Sequence, residues 1–312
     1  IFDVAVHDLA TELGGLAELA GNLYDTLIKQ NPNHSNNIDW RKKKSEILRL
    51  QKRDDEAIAT LSKILKEDLS NWEEAQIEIG NILMSASPQR FKVAAAHYKA
   101  IIDTVSSKEK NNELILNYAI CLLKSDQAVD AIRHLQRLIN DSENINIVTD
   151  AYQYLALCYE NENDPQKSIA ILNDSLTKYP QQKNRIHLHQ ECVRLNQLTQ
   201  NIDLAKKHLN ILYLEDTDQN NQAKALYQLA AYDLKSNEQN NLENAIEKFK
   251  TIIDKFSNSS SSANASFQLG LIYINQKNVE EAKKHFEKII NAEQDTELML
   301  SSILTIGDFY YT

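Results

Sequence analysis

Glycine and proline are scarce in this chain, six and four among 312 residues. Few positions can therefore break a helix or supply a glycine-dependent turn. Leu, Ile, Ala, Lys, Glu, Gln and Asn dominate instead, a composition that favours helices and leaves strands rare or absent. Cysteine is also sparse: Cys121, Cys158 and Cys192 are odd in number and far apart, so they imply neither a disulfide framework nor a CxxC site and read as small buried residues. No stretch approaches the roughly 18 consecutive apolar residues that a membrane-spanning helix needs, so direct membrane insertion is not expected. Positive charge is in deficit, with a net charge of -10 and a pI near 5.4, which argues against a nucleic-acid-binding body. No G-x-x-x-x-G-K, G-x-G-x-x-G, H-E-x-x-H or G-x-S-x-G string occurs, so no catalytic residue, cofactor or metal is assigned. The chain opens on Ile1 and shows no cleavable signal, which leaves its compartment unassigned.

What is present is a repeat. Tyr118-Ala119 is followed by Leu122, Ala131, Leu135 and Leu138. Thirty-seven residues on, the same grammar returns as Leu155-Ala156, Tyr159, Ser168, Leu172 and Ser175, then as Cys192-Val193, Asn196, Ala205, Leu209 and Leu212. Leu229-Ala230 keeps the interval, and a small insertion delays Ala245, Phe249 and Ile252. Leu269-Gly270, Tyr273, Ala282, Phe286 and Ile289 follow, and Ile306-Gly307 with Tyr310 begins a further unit. Each unit holds two stretches with apolar residues at three- and four-residue spacing, parted by a polar turn such as Asn161-Glu162-Asn163-Asp164-Pro165. That is a helical hairpin, and chance matches do not keep phase over six registers. Pro88 and Pro165 fall in internal turns and Pro32 and Pro180 at unit ends, all places where a helix must stop. The Asn-Ser run reaching Ser257–Ser262 reads as a loop between hairpins.

This pattern resembles the tetratricopeptide repeat, with a large-small pair and an aromatic in the first helix, and Ala, a large residue and a trailing Pro in the second. The resemblance implies an all-α, right-handed superhelical solenoid of tandem helix-turn-helix repeats. The expected organisation is a degenerate N-terminal helical repeat over 1–37, two loosely matching units over 38–111, five regular units over 112–299, and the first helix of a truncated further unit over 300–312. The stretch Ala245 to Ile290 is similar to the repeats of bacterial envelope scaffold proteins. The function implied is a non-catalytic protein-protein interaction scaffold, a subunit of a larger assembly. Two alternatives are a transient adaptor for a short peptide or helix, and the interaction region of an enzyme whose catalytic domain lies elsewhere. The partner is a protein offering a helical or extended segment, and homo-oligomerisation stays open.

In that family the first helices line the groove. Carried over, the groove residues are Leu116, Ile120, Leu157, Arg194, Tyr227, Leu234, Phe267, Leu271 and Ile274, polar near 190 and apolar from 230 to 270. Co-chaperones of the family clamp a carboxylate with paired Lys, Asn and Arg; here Asn117 is followed by Ile120, Tyr154 and Leu157, so that clamp is missing. Two further groups of residues share a pattern. Arg41, Lys42, Lys43 and Lys44 form one basic concentration in an acidic chain, set against the helix dipole and followed at once by Asp54, Asp55 and Glu56. His97, His134, His208 and His285 each precede the large residue of a second helix, a spacing of about 8–10 Å between helices that no single metal ion spans. His187 and His189, two apart, fall on different faces of their helix.

Overall fold

The computed structural model describes residues 16–86, 90–102, 104–105, 107–235, 239–292 and 296–311. Pro88, assigned above to a turn, lies outside them. Sixteen α-helices and no strand occur among the described residues. The chain divides into two units, Ile1–Ile171 and Leu172–Thr312. The first holds α1 (Leu16–Gln30), α2 (Asn37–Leu50), α3 (Asp54–Leu61), α4 (Leu69–Ser85), α5 (Phe91–Ile101), α6 (Lys108–Leu123), α7 (Ala128–Asp141) and α8 (Ile145–Asn161). The division falls within α9 (Pro165–Lys178), which Pro165 opens at the first helical position, where its missing N–H costs nothing. The second unit continues with α10 (Arg185–Leu198), α11 (Ile202–Glu215), α12 (Gln219–Lys235), α13 (Gln239–Lys255), α14 (Ser260–Asn275), α15 (Val279–Ala292) and α16 (Thr296–Tyr311). Both units are all-α arrays of tandem helical hairpins.

The second helices supply the core in a fixed register. Leu61, Tyr98, Leu135, Leu172, Leu209, Phe249 and Phe286 are all buried, and so are the small residues four positions before them, Ala57, Ala94, Ala131, Ser168, Ala205, Ala245 and Ala282. A third row, Ile64, Ile101, Leu138, Ser175, Leu212, Ile252 and Ile289, is buried as well. Spacings of four and three place the three rows on one helix face, except that Ile64 lies just past the end of α3. The upstream hairpins therefore keep the phase of the downstream ones in their second helices. Ser175 is the polar member of its row, and Gln182 satisfies it: Ser175 Oγ donates to Gln182 Oε1 at 3.1 Å, and Gln182 Nε2 donates to the Ser175 carbonyl at 3.2 Å.

Close helix approach depends on the first-helix glycines in two hairpins. A Cβ on Gly80 would lie 2.3 Å from the Tyr98 ring, and one on Gly270 would lie 2.5 Å from Cζ of Phe286. Five hairpin turns share one backbone solution, with Lys52, Asp126, Asn163, Gln200 and Lys277 at φ between 57° and 61°. At each, two N–H groups close back on the preceding helix, as where Asp126 N–H donates to the Leu123 carbonyl and Gln127 N–H to the Leu122 carbonyl. This is the Schellman geometry that glycine ordinarily fills. A chain with six glycines uses polar residues there instead.

The structure alters two sequence expectations. Ser260 to Ser262 belong to α14 and not to a loop, because Ser261 and Ser262 are buried in its first turn. The basic run lies in the second turn of α2, which begins at Asn37, so it sits past most of the reach of the amino-terminal dipole.

Candidate functional site

The two central repeats of the second unit depart from the apolar pattern. At the position occupied by Tyr159 and Tyr273 elsewhere they carry Asn196 and Asp233, and at the small position of α10 they carry Val193. Asn196 is buried; its Nδ2 donates to the Cys192 carbonyl at 2.8 Å, and its Oδ1 has no hydrogen-bond partner. Asp233 is buried between Lys206 of α11 and Lys248 of α13, each at 2.8 Å. Burial alone would raise the carboxyl's pKa; the hydrogen bonds and charges of the two lysines outweigh it and hold the pKa below the usual range.

A cleft of about 370 Å³ opens between α10 and α12. Its floor is apolar, made by Val193, Leu209, Leu212 and Ala225. Its walls carry the carboxamides of Gln190, Gln197, Asn221 and Gln228 and the charges of Glu191, Arg194 and Lys224. Gln197 Nε2 donates to Gln228 Oε1 at 3.3 Å, joining the two walls. Arg194 bonds Glu191 through Nε at 2.9 Å and Nη2 at 2.8 Å, whereas the exposed Lys224 has no ion pair among the described residues. A carboxamide offers a donor and an acceptor side by side, as a peptide group does. An apolar floor beneath polar walls is the usual makeup of a ligand site, and the volume sits at the lower end of the roughly 300–1,000 Å³ such sites span.

The residues assigned to the groove from sequence have different surroundings within each unit. Leu116 and Ile120 are buried in the core around Leu135, because α6 packs there on α7 and α8, and they present no open face; Leu157 is half-buried against the same cluster. Arg194 lines the cleft. Tyr227 and Leu234 are half-buried on the cluster around Phe249, the Tyr227 ring 5.5 Å from that of Phe249. Phe267, Leu271 and Ile274 pack with Leu298 and Ile306 around Phe286. Apolar first-helix residues here are largely taken up by their neighbours, and the polar stretch is the one left open.

The basic run is dispersed among partners within the first unit. Arg41 donates to Asn37 Oδ1 at 2.9 Å, Lys42 reaches Asn71 and Glu74 at 2.6 Å each, and Lys44 pairs with Asp25 at 2.6 Å. Lys43 also makes an interaction of its own. These contacts tie α2 to α1 and α4, which explains the cations without a ligand.

Each of the four phased histidines meets the first helix of its own hairpin. His97 Nε2 lies 2.9 Å from the Gln76 carbonyl, His134 sits edge-on to Tyr118, and His285 stacks on Tyr273. His208 meets His189, with the two Nδ1 atoms 2.9 Å apart and both rings buried. Sequence reading separated His189 from His187 and did not pair it with His208; the signal was that position 189 precedes Cys192 by three and shares its buried face. One Nδ1 must donate and the other accept, so the accepting ring is neutral. Burial, the neighbouring His208 and Arg185 push His189 down to about 4. Burial and Lys207 also lower His208. No group of three His, Cys, Asp or Glu among the described residues could hold a metal ion. Burial pushes the thiols of Cys121, Cys158 and Cys192 up to about 12, the setting of inert structural cysteines. No described helix is long and apolar enough to cross a membrane.

Two segments match the tetratricopeptide repeat family, residues 150–181, covering most of α8 and α9, and residues 263–296, covering most of α14 and α15. Among solved structures the chain is similar to a tetratricopeptide repeat protein from Parabacteroides merdae, at 13% identity over 96% of this chain and 94% of that one, TM-score 0.48. It is similar to the apo form of RapI at 12% identity over 82% and 97%, TM-score 0.50. The C-terminal part of a TPR repeat-containing protein from Cytophaga hutchinsonii is also similar, at 12% identity over 94% and 96%, TM-score 0.49. At these identities the likeness concerns the fold. No curated protein matches the chain in sequence.

Proposed function

We propose that this chain, two segments of which match the tetratricopeptide repeat family, is a non-catalytic interaction scaffold and that the cleft between α10 and α12 holds an extended segment of a partner protein. The observation that carries the reading is the cleft itself: paired carboxamides facing each other across an apolar floor, with Lys224 exposed at the wall. An extended backbone has unpaired N–H and C=O groups along its length, and Gln190, Gln197, Asn221 and Gln228 meet both kinds. Val193, Leu209 and Leu212 take an aliphatic side chain, and Lys224 favours an acidic residue beside it. A longer-lived place in an assembly is favoured over a transient adaptor only if partners stay bound through purification.

The test is photo-crosslinking from a benzophenone amino acid at position 228, compared with one at exposed Val129. Capture of a discrete protein from 228 and not from 129, lost when Lys224→Glu is added, supports the cleft. Equal capture from both positions removes it. Native purification then separates the two roles: stoichiometric partners that survive moderate salt support an assembly subunit, and sub-stoichiometric ones that wash away support an adaptor.

A further inference from the structure

His189 and His208 join the two helices that share the cleft floor. His189 stands one turn before Val193 on α10, and His208 stands beside Leu209 and one turn before Leu212 on α11. Val193, Leu209 and Leu212 all belong to the floor, so the floor is whole only while α10 and α11 stay together. Between the helices the two buried rings meet Nδ1 to Nδ1 at 2.9 Å.

That contact has no place for added protons. One can go to the outer nitrogen of the donating ring, which leaves a cation in a buried setting. A second has only the accepting Nδ1 to take, and two N–H groups and two positive charges would then face each other at 2.9 Å. The surrounding charges give little relief. Arg185 of α10 opposes a proton on His189, and Lys207 of α11 opposes one on His208. Glu215 of α11 favours one but is paired with Arg185, and Glu191 of α10 is bonded to Arg194. On α12, which packs against α11, Asp233 is held by Lys206 and Lys248. The Cys192 thiol, one turn from His189, keeps its proton. The histidines at the same repeat position elsewhere differ. His134 and His285 lie against the rings of Tyr118 and Tyr273, and a protonated imidazole remains attracted to an aromatic face. The α10–α11 hairpin also carries the unmet Oδ1 of Asn196, a local weakness that brings opening within reach.

We infer that the His189–His208 pair is an acid-operated latch on the cleft. With the rings hydrogen-bonded, α10 and α11 are held together and the floor is whole; acid parts the helices and dismantles it. Release of a bound segment at low pH follows, and that consequence alone rests on the cleft being the docking site.

The test is amide hydrogen exchange of the full chain at pH 7.5, 6.0 and 5.0, expressed as protection relative to unstructured peptides at the same pH. A ring that titrates near 6.5 when released and near 4 when paired favours the open hairpin about thirtyfold at pH 5.0. Protection over α10 and α11 is therefore expected to fall by about that factor between pH 7.5 and 5.0, and over the α6–α7 and α14–α15 hairpins by less than about a third of it. The double variant His189→Asn/His208→Asn, whose amides can bond each other without titrating, should hold protection over α10 and α11 constant. Where its circular dichroism at pH 7.5 shows that it has not folded, His189→Asn alone should cut the fall at least threefold. A fall no larger in α10–α11 than in the other two hairpins, or one that persists undiminished in the variant, overturns the latch. Photo-crosslinking from position 228 is then repeated at pH 5.0 in both chains. Capture should drop at least tenfold in the parent and hold in the variant; an equal drop in both overturns the release. No capture at either pH removes the docking reading, and hydrogen exchange still decides the latch.

Discussion

Gly270 and Gly307 hold the same position in successive repeats, and adding one methyl group to each should move stability in opposite directions. In a helix interior alanine is favoured over glycine by about 1 kcal/mol. At Gly307 no described residue opposes that gain, because none of their atoms lies within 4 Å of the new Cβ; Gly307→Ala is expected to stabilise α16 by about 1 kcal/mol. At Gly270 the Cβ would stand 2.5, 2.7 and 2.9 Å from three atoms of the Phe286 ring, whereas carbon contacts are most favourable near about 3.5–4.0 Å. The ring is fully buried and braced edge-on by Phe267, so it has little space into which to withdraw. Overpacking of this kind costs about 1–3 kcal/mol, and against the gain in propensity Gly270→Ala should be net destabilising by up to about 2 kcal/mol. Stability in a tandem array is close to a sum over neighbours, so the reading is amide hydrogen exchange resolved over α14 and α15, together with the thermal midpoint. Shrinking the ring closes the cycle: Phe286→Leu alone is destabilising, yet combined with Gly270→Ala the two losses should fall short of additive by about 1–2 kcal/mol. If Gly270→Ala raises protection as Gly307→Ala does, or if the cycle shows no coupling, the ring-on-glycine account of hairpin closure is wrong.

The His189–His208 pair makes a pH prediction. The unfolded chain takes up these protons near pH 6.5 and the folded one only near 4 for His189, so this contribution is complete above 6.5 and is lost as pH falls from 6.5 towards 4. At roughly 1.4 kcal/mol per pH unit the share of the loss that falls to His189 is bounded at about 3.5 kcal/mol; His189→Gln should flatten the thermal midpoint between pH 7 and 5, and an unchanged pH slope would remove the pair as its cause. The left-handed turn residues can be tested by glycine. Removing the αL penalty of about 1–2 kcal/mol while adding about 0.5–1 kcal/mol of unfolded-state entropy should leave Lys52→Gly, Gln200→Gly and Lys277→Gly each about 0.5–1 kcal/mol more stable in urea titrations. Asn163→Gly should be near neutral, because asparagine already tolerates that conformation, and equal gains at all four would contradict the reasoning. Asp233→Asn leaves Lys206 and Lys248 without their shared carboxylate. A loss of about 1–2 kcal/mol is expected, discounted because both lysines are partly solvated, and urea titration showing no loss would mean that the bridge is idle.

Periodicity made the core legible from sequence because a core position needs only the right size and the right spacing. Leu135, Leu172 and Leu209 stand at one interval in the sequence and at one depth in the fold. Irregular contacts were not legible in the same way. Leu116 and Ile120 carried the groove position yet are buried, since which face of a first helix stays open depends on how tightly the next hairpin seats. The cleft was visible only as a change of residue type, Gln190, Arg194 and Gln197 in place of aliphatics. That α10 and α12 stand far enough apart there to leave a cavity is a property of both helices and the floor beneath them. The fate of the basic run was equally hidden, because Asp25, Asn71 and Glu74 lie far from it in sequence.

Polar substitutions at core positions separate by whether a partner was supplied. Ser175 in a row of isoleucines and leucines is matched by Gln182, and Asp233 at an aromatic position by two lysines. Both leave their hairpins closed at little cost, since a buried polar group that is bonded loses little relative to water. Asn196 differs. Its Nδ2 is used, its Oδ1 is not, and it lies in α10 beside Val193, where a branched side chain occupies the small position. An unmet acceptor in the interior is destabilising by about 1–3 kcal/mol. The unmet acceptor thus lies in one of the two helices that wall the polar cleft. Asn196→Leu, which removes the unmet acceptor without touching a residue that lines the cleft, should stabilise the chain by about 1–2 kcal/mol in urea titrations and leave photo-crosslinking from position 228 at full yield. No gain in stability would mean that the buried amide carries no penalty in solution.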